Sequence, residues 1–96
     1  MYLLSNEEIK KNLGNRIKRY RIDSGYSQKE LSVKTGVSFH SISNIENGKG
    51  MAIENLIKIL RYFNLLDNLL NLVPEVDDNP YDIAAGIENR QRRKRT

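Results

Sequence analysis

The chain has 96 residues with a formal net charge of +4, and this length predicts one domain with short appendages. Charged residues interrupt every apolar stretch, so no run approaches the roughly 20 apolar residues of a membrane span, and the first residues do not resemble a signal peptide. The absence of cysteine excludes disulfides and thiolate metal sites, and it fits a cytoplasmic location.

Three predicted helices begin with the same capping device. Ser5, Ser27 and Ser38 are candidate N-cap residues, whose hydroxyl groups accept hydrogen bonds from free amides of the first helical turn. Glu8 and Glu30 occupy the third position after the first two serines, which completes a capping box at each. The pattern therefore predicts where these three helices begin.

The first helix is predicted from about Asn6 to Asp23. Apolar residues at helical spacing define the face that we expect to be buried. These residues are Ile9, Leu13, Ile17 and Tyr20. Gly14 interrupts the helix at a cost of about 0.5–1 kcal/mol relative to alanine. Gly25 is expected to end it with a left-handed backbone.

The second and third helices are short and are separated by a glycine turn. They are predicted over about Gln28 to Thr35 and Phe39 to Asn47, and Gly36 and Gly48 end them. The predicted inward residues are Leu31, Ile42 and Ile45. Such a pair, in which the first helix holds the second at a fixed angle, is the arrangement that fits into the DNA major groove.

A fourth helix is predicted from about Ile53 to Phe63 and a fifth from about Leu66 to Leu72. Ala52 occupies the expected N-cap of the fourth helix, which costs about 1 kcal/mol relative to serine or threonine. The predicted inward residues of the fourth helix are Leu56, Ile59, Leu60 and Phe63. Two prolines among Asp and Asn residues then predict a loop after position 73, and residues 82–95 form either a short helix or a disordered arm.

Charge is segregated along the chain. Residues 1–66 carry 11 basic and 6 acidic side chains, residues 67–89 carry 6 acidic and no basic ones, and residues 90–96 carry 5 basic ones. A basic globular part is the electrostatic pattern of a protein that binds a polyanion. The alternative is solvated surface charge without a partner, and the charge pattern alone favours neither.

A set of residue types at fixed spacing lies between Leu13 and Leu66, most densely from Tyr26 to Lys49. The set consists of Arg21, Gly25, Ser27, Gln28, Leu31, Gly36, Val37, Ser38, Ile42, Ile45, Glu46, Gly48 and Lys49. In type and spacing these residues resemble the XRE family, the lambda repressor-like helix-turn-helix proteins. The resemblance implies an all-α fold, with a compact five-helix lambda repressor-like DNA-binding domain and a short C-terminal extension.

The chain length, the predicted helices and the loop after position 73 set the expected domain boundaries. We expect the helix-turn-helix DNA-binding domain over residues 1–73, with the motif at about 27–47. The C-terminal extension with its basic tail, over residues 74–96, is expected to be partly flexible.

The resemblance assigns base contacts to the third helix, on the side opposite its two isoleucines. The base-contacting candidates are Phe39, His40, Ser41, Ser43 and Asn44. The carboxamide of Asn44 can pair bidentately with adenine, and Phe39 can rest on a thymine methyl group. The alternatives are that Asn44 is a solvated surface residue and that Phe39 packs on Ser43 or a neighbouring loop. His40, the single histidine of a chain without cysteine, is not expected to bind a metal.

Other candidates would contact the DNA backbone, in part through free amides at helix starts, and would make affinity depend on salt. They are Ser27, Gln28, Lys29, Ser38, Asn47 and Lys49. The resemblance gives Arg21 and Glu46 a structural role instead, as an ion pair that joins the first helix to the end of the third.

A homodimer is expected because one helix-turn-helix covers only about half a turn of DNA, so that binding to a near-palindromic operator needs two copies. The segment after the fourth helix has more apolar residues than one buried face requires. The candidates for a dimer interface are Leu65, Leu66, Leu69, Leu70 and Val73. The alternative, equally supported, is that these residues complete the core.

The C-terminal part is similar to one XRE subgroup, the HipB-type antitoxins. The similarity lies in Leu66-Asp67, Val73-Pro74-Glu75, Asn79-Pro80 and the arginine-rich close RQRRKR. It implies operon autorepression and a HipA-like kinase toxin as partner. Otherwise the basic end, Arg90 to Arg95, is a minor-groove arm, a phosphate clamp or a solvated tail.

These features bear on four classes of function. The first is a sequence-specific DNA-binding transcriptional regulator, expected to be a dimeric repressor. The second is a protein-interaction module that has kept the fold without DNA binding, which the polar residues Gln28, Asn44 and Lys49 argue against. An enzyme is not expected, because no catalytic constellation or nucleotide-binding loop can be assembled, and no cofactor is predicted. RNA binding through the basic tail lacks the interleaved aromatic residues that single-strand binding uses.

Overall fold

The structure, a computed structural model, describes residues 4–76, and this part of the chain contains five helices and no strand. The helices are α1 (Asn6–Asp23), α2 (Gln28–Thr35), α3 (Phe39–Glu46), α4 (Ile53–Tyr62) and α5 (Leu66–Leu70). The predicted bounds of α1 and α2 are confirmed, whereas α3, α4 and α5 end earlier than predicted. The expectations for Pro80 and for the tail from Arg90 to Arg95 lie outside the described residues.

Capping boxes fix the first residues of α1 and α2. The hydroxyl oxygen of Ser5 accepts from the Glu8 amide at 3.1 Å, and that of Ser27 accepts from the Glu30 amide at 3.0 Å. In return each glutamate carboxylate accepts from the serine amide at 2.8 Å. Both reciprocal pairs were predicted from the serine–glutamate spacing and are confirmed.

The other helix ends also follow local chemistry. The Ser38 hydroxyl caps α3 by accepting from the Ser41 amide at 3.1 Å. α4 begins after Ala52, which makes no side-chain capping bond, as predicted. Gly25 and Gly36 have φ values of 81° and 79°, so the chain turns after α1 and α2 through the left-handed conformation that glycine adopts without strain.

The two capping boxes are expected to make the helix starts sensitive to acid. Hydrogen bonds from the amide and then the hydroxyl of Ser5 hold the pKa of Glu8 below its usual value, and Ser27 does the same for the pKa of Glu30. Because the folded pKa is the lower one, each carboxylate stabilises the fold above its unfolded pKa of about 4.3. That contribution is lost as the pH falls through the lowered folded value.

The measurement is denaturant unfolding of the wild type and of the variants Glu8→Gln and Glu30→Gln between about pH 6 and about pH 3. We expect the variants to be less stable than the wild type at the upper pH and to converge with it in acid. Glu7→Gln, a first-turn change outside the capping box, controls for the altered net charge. A gap between wild type and capping-box variants that stays constant over this range would contradict the interpretation.

In residues 4–76 the apolar core lies between the helices and covers one side of α3. Its buried members are Ile17, Leu31, Val37, Ile42, Ile45, Leu56 and Ile59. α1 and α2 both pack against α3, and α2 also packs against α4. The predicted inward direction of Leu31, Ile42 and Ile45 is confirmed, which fixes the opposite side of α3 as the side that faces away from the protein.

The buried face of α1 differs from the predicted one. Ile9 and Tyr20 were predicted to be inward but are 49% and 46% exposed. Ile17 is buried as predicted, and the predicted Leu13 is half-buried against the core. The other buried residues are Gly14 and Arg21, which were not among the predicted inward residues and lie on the same side of the helix as Ile17. The prediction assumed that apolar side chains mark the buried face, whereas here that face also carries a glycine and a buried charge.

Candidate nucleic-acid interface

α3 has one side in the core and the other side uncovered. Ile42 and Ile45 are 0% and 1% exposed, whereas Phe39 is 48% exposed. We call Phe39, His40, Ser43 and Asn44 the outer face of α3; the first two are exposed and the last two are half-buried. An α-helix with its side chains is about 10–12 Å across, which matches the major groove of about 12 Å. The structure thus brings four of the five predicted base-contacting residues to one surface.

The two polar residues best suited to contact bases lie side by side on this surface. Asn44 Nδ2 and His40 Nε2 are 3.2 Å apart and form a hydrogen bond between positions one turn apart. When His40 Nε2 carries no proton, it accepts from one amide hydrogen of Asn44. The carboxamide then keeps its oxygen and its second amide hydrogen free, and these are the acceptor and donor that pair with an adenine edge.

The serines of α3 are partly engaged within the protein. The Ser38 hydroxyl donates to Ser41 Oγ at 2.9 Å, and Asn47 Nδ2 lies 3.5 Å from Ser43 Oγ. A hydroxyl group has one donor and two acceptor sites, so Ser41 and Ser43 both retain hydrogen-bonding capacity. Ser41 is half-buried and lies at the edge of the outer face.

A buried ion pair lies behind the end of α3. Arg21 Nε donates to one carboxylate oxygen of Glu46 at 2.7 Å, and a terminal guanidinium nitrogen donates to the other at 3.0 Å. The two side chains are 10% and 2% exposed. Arg21 also donates to the Tyr26 carbonyl at 2.7 Å, and Gln28 Nε2 donates to Glu46 at 3.0 Å. This network joins the end of α1, the start of α2 and the end of α3.

The six predicted DNA-backbone residues differ in how far their polar or charged groups are already bonded within the protein. The hydroxyls of Ser27 and Ser38 serve as N-caps, and Gln28 spends one amide hydrogen on Glu46 but keeps the other and its oxygen. Lys29 and Lys49 are exposed, and the ion pairs within residues 4–76 do not involve them. Asn47 is exposed at the end of α3, and its side chain makes one long contact, to Ser43.

Asn55 lies near the outer face of α3 but was not predicted from the sequence. It lines a cleft of about 340 Å³ between the end of α3 and the start of α4, together with Asn44 and Lys49. The available signal was its place in the first turn of a helix whose N-cap, Ala52, makes no side-chain bond. Such a start leaves amide donors that can face an anion.

The five candidates for a dimer interface divide into two groups. Leu65, Leu66 and Leu69 are half-buried, and Leu69 packs against the core. Leu70 and Val73 are 65% and 82% exposed. Each of the two alternatives raised by the sequence therefore describes part of this segment: some leucines complete the core, and others remain uncovered.

Comparison with known proteins identifies the family. Residues 17–67, more than half of the chain, match the family model described as helix-turn-helix (HTH_3). The chain belongs to this family. It is also 35% identical over 72 residues to the HTH-type transcriptional regulator SinR of Bacillus licheniformis, an alignment that covers 73% of this chain. The chain spans 63% of the length of that relative. No solved structure matches the chain.

Membership in this family confirms the predicted XRE-type regulator and its all-α, lambda repressor-like fold. The family assignment does not reach the HipB-type subgroup, which stays a prediction. Within residues 4–76, none of the helices has the length and apolar character that a membrane crossing requires.

Proposed function

We propose that this helix-turn-helix protein is a repressor that binds a near-palindromic operator as a homodimer, with α3 of each copy in the major groove. One observation carries the proposal. Ile42 and Ile45 are buried completely, so the outer face of α3 points away from the protein and is free to meet a duplex.

The chemistry of the outer face favours sequence recognition over general attraction. Asn44, held by His40, offers the donor and acceptor pair that adenine complements, and a good bidentate pair discriminates between bases by about 1–3 kcal/mol. The exposed ring of Phe39 suits a thymine methyl group. We therefore expect an operator half-site that contains A·T pairs.

Contacts to the DNA backbone would fix the register of α3. Lys49 lies three residues after the end of α3, Lys29 lies in the first turn of α2, and Gln28 keeps hydrogen-bonding groups free beside it. Phosphate contacts of this kind supply affinity without sequence information. The hydrogen bond from Gln28 to Glu46 ties the start of α2 to the end of α3.

Lys49→Ala is expected to weaken binding to operator and to random DNA alike. A lysine that neutralises one phosphate contributes about 0.9 to the slope of log affinity against log salt, so the slope should become shallower by about 1. Fluorescence anisotropy titrations at several salt concentrations measure both effects. Lys58→Ala is the control, since Lys58 is exposed beside Lys34 and Tyr62 and not in the cleft beside Asn44. An unchanged slope for Lys49→Ala would contradict the backbone contact.

Two copies are proposed because one α3 reaches only about half a turn of DNA. The exposed Leu70 and Val73 provide apolar surface next to α5 that a second copy could cover. Large uncovered apolar groups of this kind are typical of interaction sites when they lie together.

The experiment that tests the proposal is a gel shift on DNA from directly upstream of the protein's own gene, against random DNA of equal length, at two salt concentrations. We expect a preferred complex that contains two protein chains and persists at the higher salt. Equal binding to both DNAs would reject sequence recognition, and a complex with one chain would reject the dimer.

An antitoxin is the second candidate, favoured by the similarity of Leu66-Asp67 and Val73-Pro74-Glu75 to HipB-type proteins. Its main partner would be a HipA-like kinase, with autorepression of the shared operon. Co-expression with a kinase-like neighbouring gene product tests this candidate. Copurification of the two proteins would support it, and their separation during purification would count against it.

A further inference from the structure

We propose that Gly14 of α1 is a positioning residue for DNA recognition, which sets where α3 sits and thereby determines how well the protein distinguishes its operator from other DNA. The inference rests on the proposed function. Its physical basis is the close approach of the α1 main chain to the main chain at the end of α3, which a side chain at position 14 would prevent.

The atoms that a Cβ atom added at Gly14 would contact show how close the two segments are. Such an atom would lie 2.2 Å from the carbonyl oxygen of Ile45 and 3.1 Å from that of Glu46, both main-chain atoms at the end of α3. The Cα hydrogen of Gly14 occupies that position, and its place beside the carbonyl oxygen of Ile45 suits a weak Cα–H···O contact. Gly14 is buried within the 18-residue α1, where glycine is otherwise an unfavourable helix residue.

A second close approach lies next to the first, between Gly48 and Lys11. A Cβ atom built on Gly48 would lie 2.7 Å from Lys11 Cγ and 2.9 Å from Lys11 Cα. Residues 11–14 of α1 therefore lie against residues 45–48, and we call this contact the seam. Because the contacts at Gly14 are to main-chain oxygens, no side-chain rotation can relieve a clash there.

Glu46 is consequently held at two points. Its main chain rests against Gly14, and its carboxylate is bound by Arg21, two turns further along α1 or roughly 10 Å away. The same carboxylate accepts from Gln28 at the start of α2. One residue at the end of α3 thus ties the recognition helix to the two elements that precede it.

A methyl group at position 14 must move the end of α3. Ordinary contact begins at 3.4 Å, so the Ile45 carbonyl has to retreat by roughly 1 Å. Hydrogen bonds to base edges have a narrow range of favourable lengths, so a shift of this size weakens them. Attraction between lysines and phosphates tolerates such a shift, because it depends weakly on the angle of α3.

The test compares Gly14→Ala with the wild type for operator and random DNA, with two control variants. We expect the ratio of the two affinities to fall at least about tenfold while binding to random DNA stays nearly unchanged. Asn15→Ala adds alanine at the adjacent exposed position, and Ile59→Val loosens the core away from the seam. Both controls are expected to keep the wild-type ratio, which separates positioning from a general loss of stability.

Amide NMR spectra of the free protein give a second readout. Gly14→Ala should shift the amides of residues 42–49 more than those of α4. A variant that is unfolded in buffer is measured in trimethylamine N-oxide, which favours the folded state. A folded Gly14→Ala variant with the wild-type affinity ratio, or with α3 amides unmoved, would overturn the inference. If the wild type itself does not discriminate, the proposed function fails, and the NMR comparison alone decides whether Gly14 positions α3.

Discussion

Replacing Arg21 with methionine is expected to lower the free energy of unfolding by about 3–5 kcal/mol. The change leaves the Glu46 carboxylate, 2% exposed, with Gln28 as its remaining side-chain donor. It also removes the donor to the Tyr26 carbonyl, which lies in the turn between α1 and α2. A buried charge without its partner keeps its full desolvation cost, so the loss should greatly exceed that of a surface pair.

The chain offers a matched control for this prediction. Arg19 and Asp23 form an ion pair at 3.2 Å on the same helix, with side chains 78% and 64% exposed. Arg19→Met should cost no more than about 0.5 kcal/mol, because exposed pairs one turn apart are worth little. Urea unfolding followed by circular dichroism measures both variants. Equal losses would show that Glu46 is not isolated from water in solution.

A further variant separates the ion pair from its burial. In Arg21→Met combined with Glu46→Met no unpaired charge is left, so part of the lost stability should return. The double variant should nevertheless bind operator poorly, because the end of α3 loses its link to α1 and Gln28. Full recovery of operator binding would mean that the ion pair does not orient α3.

Ile42→Ala is expected to cost about 2–5 kcal/mol, the range for removing a large buried aliphatic side chain. Ile42 is 0% exposed and belongs to the core that α3 shares with α1 and α2. The lost methyl and methylene groups leave a cavity in this close-packed core. With a typical total stability of about 5–15 kcal/mol, this variant should unfold at much lower urea concentration.

Val33→Ala on α2 is the control for the loss of apolar volume. Val33 is 84% exposed, so its truncation should change stability by no more than about 0.5 kcal/mol. Similar unfolding midpoints for Ile42→Ala and Val33→Ala would contradict the inward direction of Ile42. That result would also remove the reason for assigning DNA contacts to the other side of α3.

The helix starts could be predicted because their cause is local. A serine followed at the third position by glutamate specifies its own hydrogen bonds, and both α1 and α2 begin where this pattern placed them. The glycine turns after these helices are equally local, since a left-handed backbone favours glycine whatever the tertiary structure. The weakly capped α5 is shorter than predicted because no such signal defines its end.

The buried face of α1 could not be predicted from apolar spacing, because its two special positions are not apolar. Gly14 is buried because a main chain approaches it, and Arg21 is buried because Glu46 binds it. The Arg21–Glu46 pair itself was anticipated from the family resemblance and not from spacing, since 25 residues separate its members. Long-range approaches of this kind leave little trace in a single sequence.

On the outer face of α3, the positions of the residues could be predicted, whereas the contacts between their side chains could not. The one-turn spacing of His40 and Asn44 was compatible with a hydrogen bond, yet many side chains at that spacing do not bond. Asn55 was overlooked because its proximity to Asn44 depends on how α4 starts after the turn. The first feature depends on the side-chain rotamers within α3, and the second on the relative placement of α3 and α4.

The most direct test of DNA recognition by the outer face of α3 is a selection of binding sites from a pool of random duplexes, performed in parallel with the wild type and Asn44→Ala. The wild type should enrich one near-palindromic motif. Asn44→Ala should enrich the same motif with one position per half-site relaxed, by about 5- to 150-fold in relative affinity. An identical motif of equal strength from both proteins would contradict the contact by Asn44, and the absence of any motif from the wild type would contradict sequence recognition itself.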